Sequence, residues 1–238
     1  MDCLVQERDT KTRILDAAEA LLVEHGAERM SLRQITARAD VNLAAVNYHF
    51  GGRQALIHAV VARHLDPLHA HRLQALDECE RQGGAPDCAQ VLAALFAPAL
   101  HRSRAHPGFL RFLGRIYTDG DPDIASFLHD RYEAVNARFS AAFAAALPLL
   151  PPEELKLRLQ FVLKAVAGVI AGIDLPNLLI EIGQQRPRGS ALSDADLLAR
   201  LTAMMTGALT APVPTSRHNK AEILAILDET KAQGVLSC

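Results

Sequence analysis

The residues best able to do chemistry in this chain stand between Arg29 and Arg53. Four arginines (Arg29, Arg33, Arg38 and Arg53) face a single acid there, Asp40, and His49 adds a fifth donor. Cationic and hydroxyl groups of this kind suit phosphate oxygens, which would engage Ser31, Arg33, Tyr48, His49 and Arg53. Between them runs Asn42-Leu43-Ala44-Ala45-Val46-Asn47, small or polar except at Leu43 and Val46. An amide pairs bidentately with adenine, so Asn42 and Asn47 are the candidates for base edges in a major groove. The whole chain carries a net charge of -2, so any nucleic-acid contact has to be a local patch.

Other constellations point to other chemistries, and most have a plainer explanation. His64, His69 and His71 stand near Cys79, but their spacing does not set three ligands on one helical face. A metal-dependent or redox-responsive helical protein built on this stretch stays open as an alternative, with Cys79 and Cys88 as the thiols. Asp119-Gly120-Asp121-Pro122-Asp123 lacks the spacing and terminal Glu of a calcium loop and reads as a helix N-cap. Glu153-Glu154 falls at a helix start. No Gly-rich phosphate loop, nucleophile elbow or zinc signature is present, so neither a catalytic residue, a resident metal nor a cofactor is expected.

Helices have to position these groups. Half of the 238 residues are hydrophobic, mostly Ala and Leu, only 5% are aromatic, and apolar spacing is helical nearly throughout. The expected fold is all-α: an N-terminal three-helix unit with a helix-turn-helix, then a larger helical body. Helices are expected over 10–25, 32–39 and from the Asn42 cap to Phe50, with Ser31 and Gln34 as a capping box and Gly26 and Gly51 as stops. A long fourth helix follows over 53–80, with Pro67 as a kink point. Further helices are expected over 91–102, 108–118, 124–147, from Pro152 to Ile173, over 177–184 and around 197–209. The boundaries that follow are 1–60 for the DNA-binding unit, 61–212 for the body and 213–238 for a tail.

The segment Ile14-Leu15-Asp16-Ala17-Ala18, then Ser31-Leu32-Arg33-Gln34-Ile35, then Asn47-Tyr48-His49-Phe50 and Arg53-Gln54-Ala55-Leu56 resembles the DNA-binding domain of the TetR family. The resemblance covers about the first 60 residues. It implies an all-helical homodimer that binds double-stranded operator DNA and answers to a small-molecule effector, with Tyr48, His49 and Arg53 on phosphate. The family more often has Lys and Glu where this chain has Arg53 and Gln54. The run 41–51 also resembles a subgroup that includes fatty-acid-responsive regulators.

On this reading the chain is a cytoplasmic repressor, since its first residues lack an apolar leader core and its four cysteines form no CxxC pair. The apolar stretch 161–182 carries Lys164, Asp174 and Glu181, which argues against a membrane span. Ala165, Gly168, Ile170 and Gly172 form a small-residue ridge that is expected to pair with Leu197, Leu201, Met204 and Met205 in a dimer seam. Such a dimer sets two reading helices about 34 Å apart on a palindromic operator. The effector pocket is expected from Phe96, Phe109, Phe112, Leu113, Ile116, Phe127, Tyr132 and Phe139, with Arg111, Arg115 and Arg131 for a carboxylate or phosphate. That lining suggests a fatty acid or acyl-CoA. An activator, or an efflux regulator with a planar cationic ligand, stays in the same class. A helical enzyme is a further alternative.

Overall fold

The computed structural model describes residues 2–106, 108–172 and 194–213, all helix and connecting turn with no strand among them. The helices are α1 (Asp2–His25), α2 (Leu32–Ala39), α3 (Leu43–Phe50), α4 (Arg53–Gly83), α5 (Cys88–Ala105), α6 (Phe109–Thr118), α7 (Pro122–Ala146), α8 (Pro152–Gly172) and α9 (Asp194–Thr210). The expected helix at 177–184, the break at 174–176 and the tail from 214 lie outside the described residues.

Local chemistry sets the helix ends. Ser31 and Gln34 form the capping box at α2, with Ser31 N–H donating to Gln34 Oε1 at 2.9 Å and Gln34 N–H to Ser31 Oγ at 3.3 Å. Asn42 Oδ1 caps α3 by accepting from Ala45 N–H at 2.9 Å. Asp40 ends α2 in the left-handed region at φ 52, which a short polar side chain tolerates better than most. Arg13 holds that end from α1, donating to the carbonyls of Ala39 at 2.6 Å and Asp40 at 2.8 Å. Asp121 caps α7, with Pro122 in its first turn.

The first three helices and the front of α4 share a core of Ile14, Leu22, Ile35, Val46, Leu56, Ile57 and Leu65, all essentially inaccessible. That core does not stop at residue 60. It continues through Phe109, Phe112, Leu113 and Ile116 of α6 to Ile124 and Tyr132 of α7. A second core gathers Leu76, Val91, Leu92, Phe139, Phe143, Leu155, Val162, Met205 and Leu209 from α4, α5, α7, α8 and α9. The uninterrupted α4, with Pro67 inside it, runs through both.

One buried cation ties α8 to α9. Arg158 Nη1 donates to Leu209 O at 2.9 Å and also to Ala211 O, Nη2 reaches Pro212 O at 3.3 Å, and Nε reaches Glu154 at 2.7 Å. The guanidinium therefore satisfies the orphan carbonyls at the end of α9.

Candidate nucleic-acid interface and ligand cavity

Helix α3 divides as groove insertion requires. Val46 is fully buried, and Phe50 leans on the core. Leu43 (51% exposed), Ala44, Asn47 and Tyr48 (75% exposed) face outward. Tyr48 meets the His49 ring edge-on at 5.1 Å, which sets both side chains at one end of the helix. Ser31 and Arg33 are exposed at the front of α2.

Three of the expected contacts are placed differently. Ala45 is half-buried and packs against the core, because it lies on the Val46 side of the helix. Asn42 spends its carbonyl oxygen on the cap of its own helix, so its NH2 group is what it can offer a base, and Asn47 is the amide with both ends outward. Arg53 turns inward: its Nε donates to Met30 O at 2.7 Å and its Nη2 to Ala27 O, so it clamps the α1–α2 turn. Arg38 pairs with Glu24 at 2.8 Å. Arg29 and Arg33 remain exposed, with no ion pair among the described residues, and Lys11 stands over the Phe50 ring at 5.8 Å. Sequence reasoning missed Lys11 and Arg13 because their partners are distant in the chain.

The body contains a cavity of about 280 Å³ between α4, α6, α7 and α8. Its walls are His69 from α4, Ile116 and Tyr117 from α6, Asp119, then Ala125, Leu128, His129, Tyr132 and Asn136 from α7, and Lys164 from α8. Of the expected lining only Ile116 and Tyr132 are present. Phe109, Phe112 and Leu113 are sealed in the first core, with both rings against His64, and Phe96 and Phe139 belong to the second. Phe127 stacks on His58 at 4.1 Å, 9° from parallel. These rings lie in or against the two cores, since large rings are the most effective way to fill the space between helices.

The expected arginines are also committed elsewhere. Arg131 makes a bidentate pair with Asp66 at 2.9 and 2.6 Å, and Tyr132 Oη donates to the same carboxylate at 2.9 Å. The Arg131 guanidinium therefore holds Asp66 below the usual carboxylate range. Arg115 lies over Gly26, and Arg111 is exposed outside the cavity.

The cation at the cavity is Lys164, whose Nζ donates to Tyr117 O at 2.7 Å. His69 is only 5% exposed, its ring 4.3 Å from that of Tyr132, and neither of its nitrogens has a partner among the described residues. Burial, with the nearby Arg72 adding to it and Asp66 opposing, pushes its pKa down to about 3. Helix α7 leaves helical dihedrals at Tyr132 (φ -113, ψ 16), beside this group.

Of the expected dimer seam, Ala165 and Gly168 are exposed, as is Met204 at 62%. Met205 is a correction: at 2% exposure it fills the chain's own second core. Leu201 is half-buried against that core. The side chains of Ile170 and Leu197, and the surroundings of Gly172, lie outside what is described. The exposed stripe on α8 includes two residues not expected in it, Leu157 (46%) and Phe161 (67%). Among the described residues, no helix is long and apolar enough to cross a membrane, and no group of three or more His, Cys, Asp or Glu could hold a metal.

A capped helix offered outward by a three-helix unit, set on a larger helical body, defines a helix-turn-helix protein. The chain belongs to the TetR family. Its residues 14–60 match the family described as bacterial regulatory proteins, tetR family, and residues 93–208 match the tetracyclin repressor-like C-terminal domain. Two relatives from Pseudomonas putida are each 36% identical over 63 residues: the uncharacterized HTH-type transcriptional regulator TtgW and the HTH-type transcriptional regulator SrpR. That segment is 26% of this chain and spans 47% and 30% of those relatives. A solved structure of a tetR family transcription regulator from Shewanella sp. PV-4 superposes with a TM-score of 0.56 at 15% identity, covering 84% of this chain and 97% of that one.

Proposed function

We propose that this chain is a cytoplasmic transcriptional repressor that binds a palindromic operator as a homodimer and is released when a small molecule fills the cavity. The observation that carries the reading is the two-sidedness of α3: Val46 is sealed while Asn47 and Tyr48 stand outward. Asn47 is the base-edge candidate, and Tyr48, His49, Ser31 and Arg33 are the phosphate candidates. Arg53 supports the interface indirectly, by fixing the turn from which α2 starts.

The homodimer is read from the apolar stripe of Leu157, Phe161, Ala165 and Gly168 on α8 beside Met204 on α9. Gly168 has nothing within 4 Å of where a Cβ would stand, which leaves room for a partner helix to approach closely. A cavity of about 280 Å³, just below the ~300–1,000 Å³ range of ligand pockets, supports a compact effector over an acyl-CoA.

The test is retention of genomic fragments by the full chain at low ionic strength, followed by sequencing of what is retained. Asn47→Ala is expected to relax sequence preference by about 1–3 kcal/mol at one base pair of each half-site. Arg33→Ala is expected to weaken all sequences alike and to flatten the salt dependence. A chain that retains no fragment at low salt does not have this function.

A further inference from the structure

We propose that Lys11 is a further phosphate-binding residue, which carries the DNA interface beyond the helix-turn-helix onto α1. The inference rests on reading α3 as the DNA-reading helix and adds to it a contact from a different element.

Lys11 lies one helical turn ahead of Ile14, on the same side of α1. Ile14 is fully buried in the core that also holds Val46, whereas Lys11 is exposed. The lysine therefore stands where that core ends. Side chains on a helix lean towards its N-terminus, so the stem of Lys11 leads away from the core. Its ammonium is 5.8 Å from the centre of the Phe50 ring, within reach of a cation–π attraction. Phe50 closes α3. Its ring is 6.3 Å from that of His49, and the His49 ring is 5.1 Å from that of Tyr48. Tyr48, His49, Phe50 and Lys11 are thus successive neighbours, and they bring a hydroxyl, an imidazole and an ammonium to one end of α3. A DNA strand gripped by Tyr48 and His49 has this ammonium beside it.

Little in the unit competes for that charge. Among the described residues Lys11 makes no ion pair, and Asp9 is two positions back, where helical side chains do not face each other. Four other acids of the unit are drawn off by partners: Asp16 and Glu19 by Arg63, Glu24 by Arg38, and Asp40 by Arg13. The position is also held. Arg13 bonds the carbonyls of Ala39 and Asp40, which ties α1 to the turn that leads into α3. A cation here would also favour the negative end of the α3 dipole, and salt dependence separates that effect from a phosphate contact.

The experiment is a salt titration of the full chain on a fluorescent duplex of about 40 base pairs of mixed sequence, read by anisotropy. Phosphate contacts appear there as the slope of log affinity against log salt. Lys11→Gln is expected to weaken binding about threefold or more at about 50 mM salt, and to reduce the slope by about 0.9 for each protomer engaged. Lys11→Arg keeps both. Arg81→Gln removes the same charge from an exposed side chain at the far end of α4, and should leave the parent's slope. Thermal midpoints of all three variants should stay within about 2 °C of the parent. An unchanged slope in Lys11→Gln would overturn the assignment, as would an equal change in Arg81→Gln. A lowered midpoint with the parent's slope would make Lys11 a partner of the α3 dipole and remove it from the interface. A parent that holds no duplex at low salt removes the regulator reading and this contact with it. A parent that binds, with Lys11→Gln indistinguishable from it, removes this contact alone.

Discussion

The carboxylate of Asp119 accepts a hydrogen bond from the backbone N–H of Ala27 across 3.2 Å, joining residues 92 apart in the chain. The same aspartate lines the ligand cavity, and Ala27 sits in the turn that leads into α2. One side chain thus touches both the space a ligand would enter and the unit that would hold DNA. Asp119→Ala removes this bond and the one from Asp121 N–H at 3.1 Å, and is expected to cost about 1–3 kcal/mol in urea unfolding. It is also expected to bring the ratio of DNA affinities with and without effector towards one, since a ligand acts only through contacts that differ between states. An unchanged ratio would place the coupling elsewhere.

Gly26 leaves α1 at φ +78, and a Cβ there would stand 2.6 Å from Arg115 Nη2 and 3.2 Å from Asp119 Oδ2. Gly26→Ala therefore meets a left-handed backbone and a crowded docking site at once. A loss of about 1–2 kcal/mol is expected from the backbone alone, and more if Arg115 cannot move aside. Thermal unfolding reads it, and a neutral substitution would contradict the close approach of α6.

Arg158 carries the end of α9 on its fork of donors. Arg158→Met keeps most of the buried stem and abandons the carbonyls of Leu209, Ala211 and Pro212. The expected loss is about 2–3 kcal/mol, as for hydrogen bonds to a charged group. Arg158→Lys should recover only part of it, because a single ammonium cannot span all three acceptors. Hydrogen exchange at the end of α9 should accelerate in both.

Acid should destabilise the protein earlier than its carboxylates would explain. His69 has a folded pKa of about 3, below the 6.5 of an exposed histidine, so between those values the unfolded chain binds the extra proton. The stability it contributes is whole above pH 6.5 and falls as pH drops towards 3, by at most about 1.4 kcal/mol per pH unit. Asp66, held low by Arg131, adds loss of the same sign at the acid end. His69→Phe should flatten the slope of unfolding free energy between about pH 6.5 and 4.5, and an unaltered slope would mean the imidazole is solvated.

Phe161 is 67% exposed and Met204 62% exposed, on neighbouring helices. Phe161→Glu or Met204→Glu should yield a monomer in sedimentation at concentrations where the parent chain is a dimer. A dimer that survives both changes would move the seam off this face.

What was legible in the sequence was local. Ser31 with Gln34, Asn42, Asp121 with Pro122, and Gly26 all act within four residues of themselves, so their spacing alone announces helix ends and the outward face of α3. What was illegible depends on partners 23 or more residues away. Nothing near Arg53 says that it will turn back to Met30, and nothing near Lys164 says that it will reach Tyr117. The aromatic residues misled for a related reason: Phe109 and Phe112 look alike whether they fill a core or line a cavity, and only the packing of α6 on the front of α4 decides which.

Helix α4 runs unbroken for 31 residues, which at about 1.5 Å per residue is a rod of about 46 Å. His69 sits along it near the cavity, and Leu56 sits near its start in the core of the DNA-binding unit. Such a rod acts as a pointer: a tilt of about 5° carries its far end by roughly 4 Å, more than the length of a hydrogen bond. Two pointers fixed back to back would double that error across an operator, so an effector need only nudge the rod to take both reading heads out of step with the grooves.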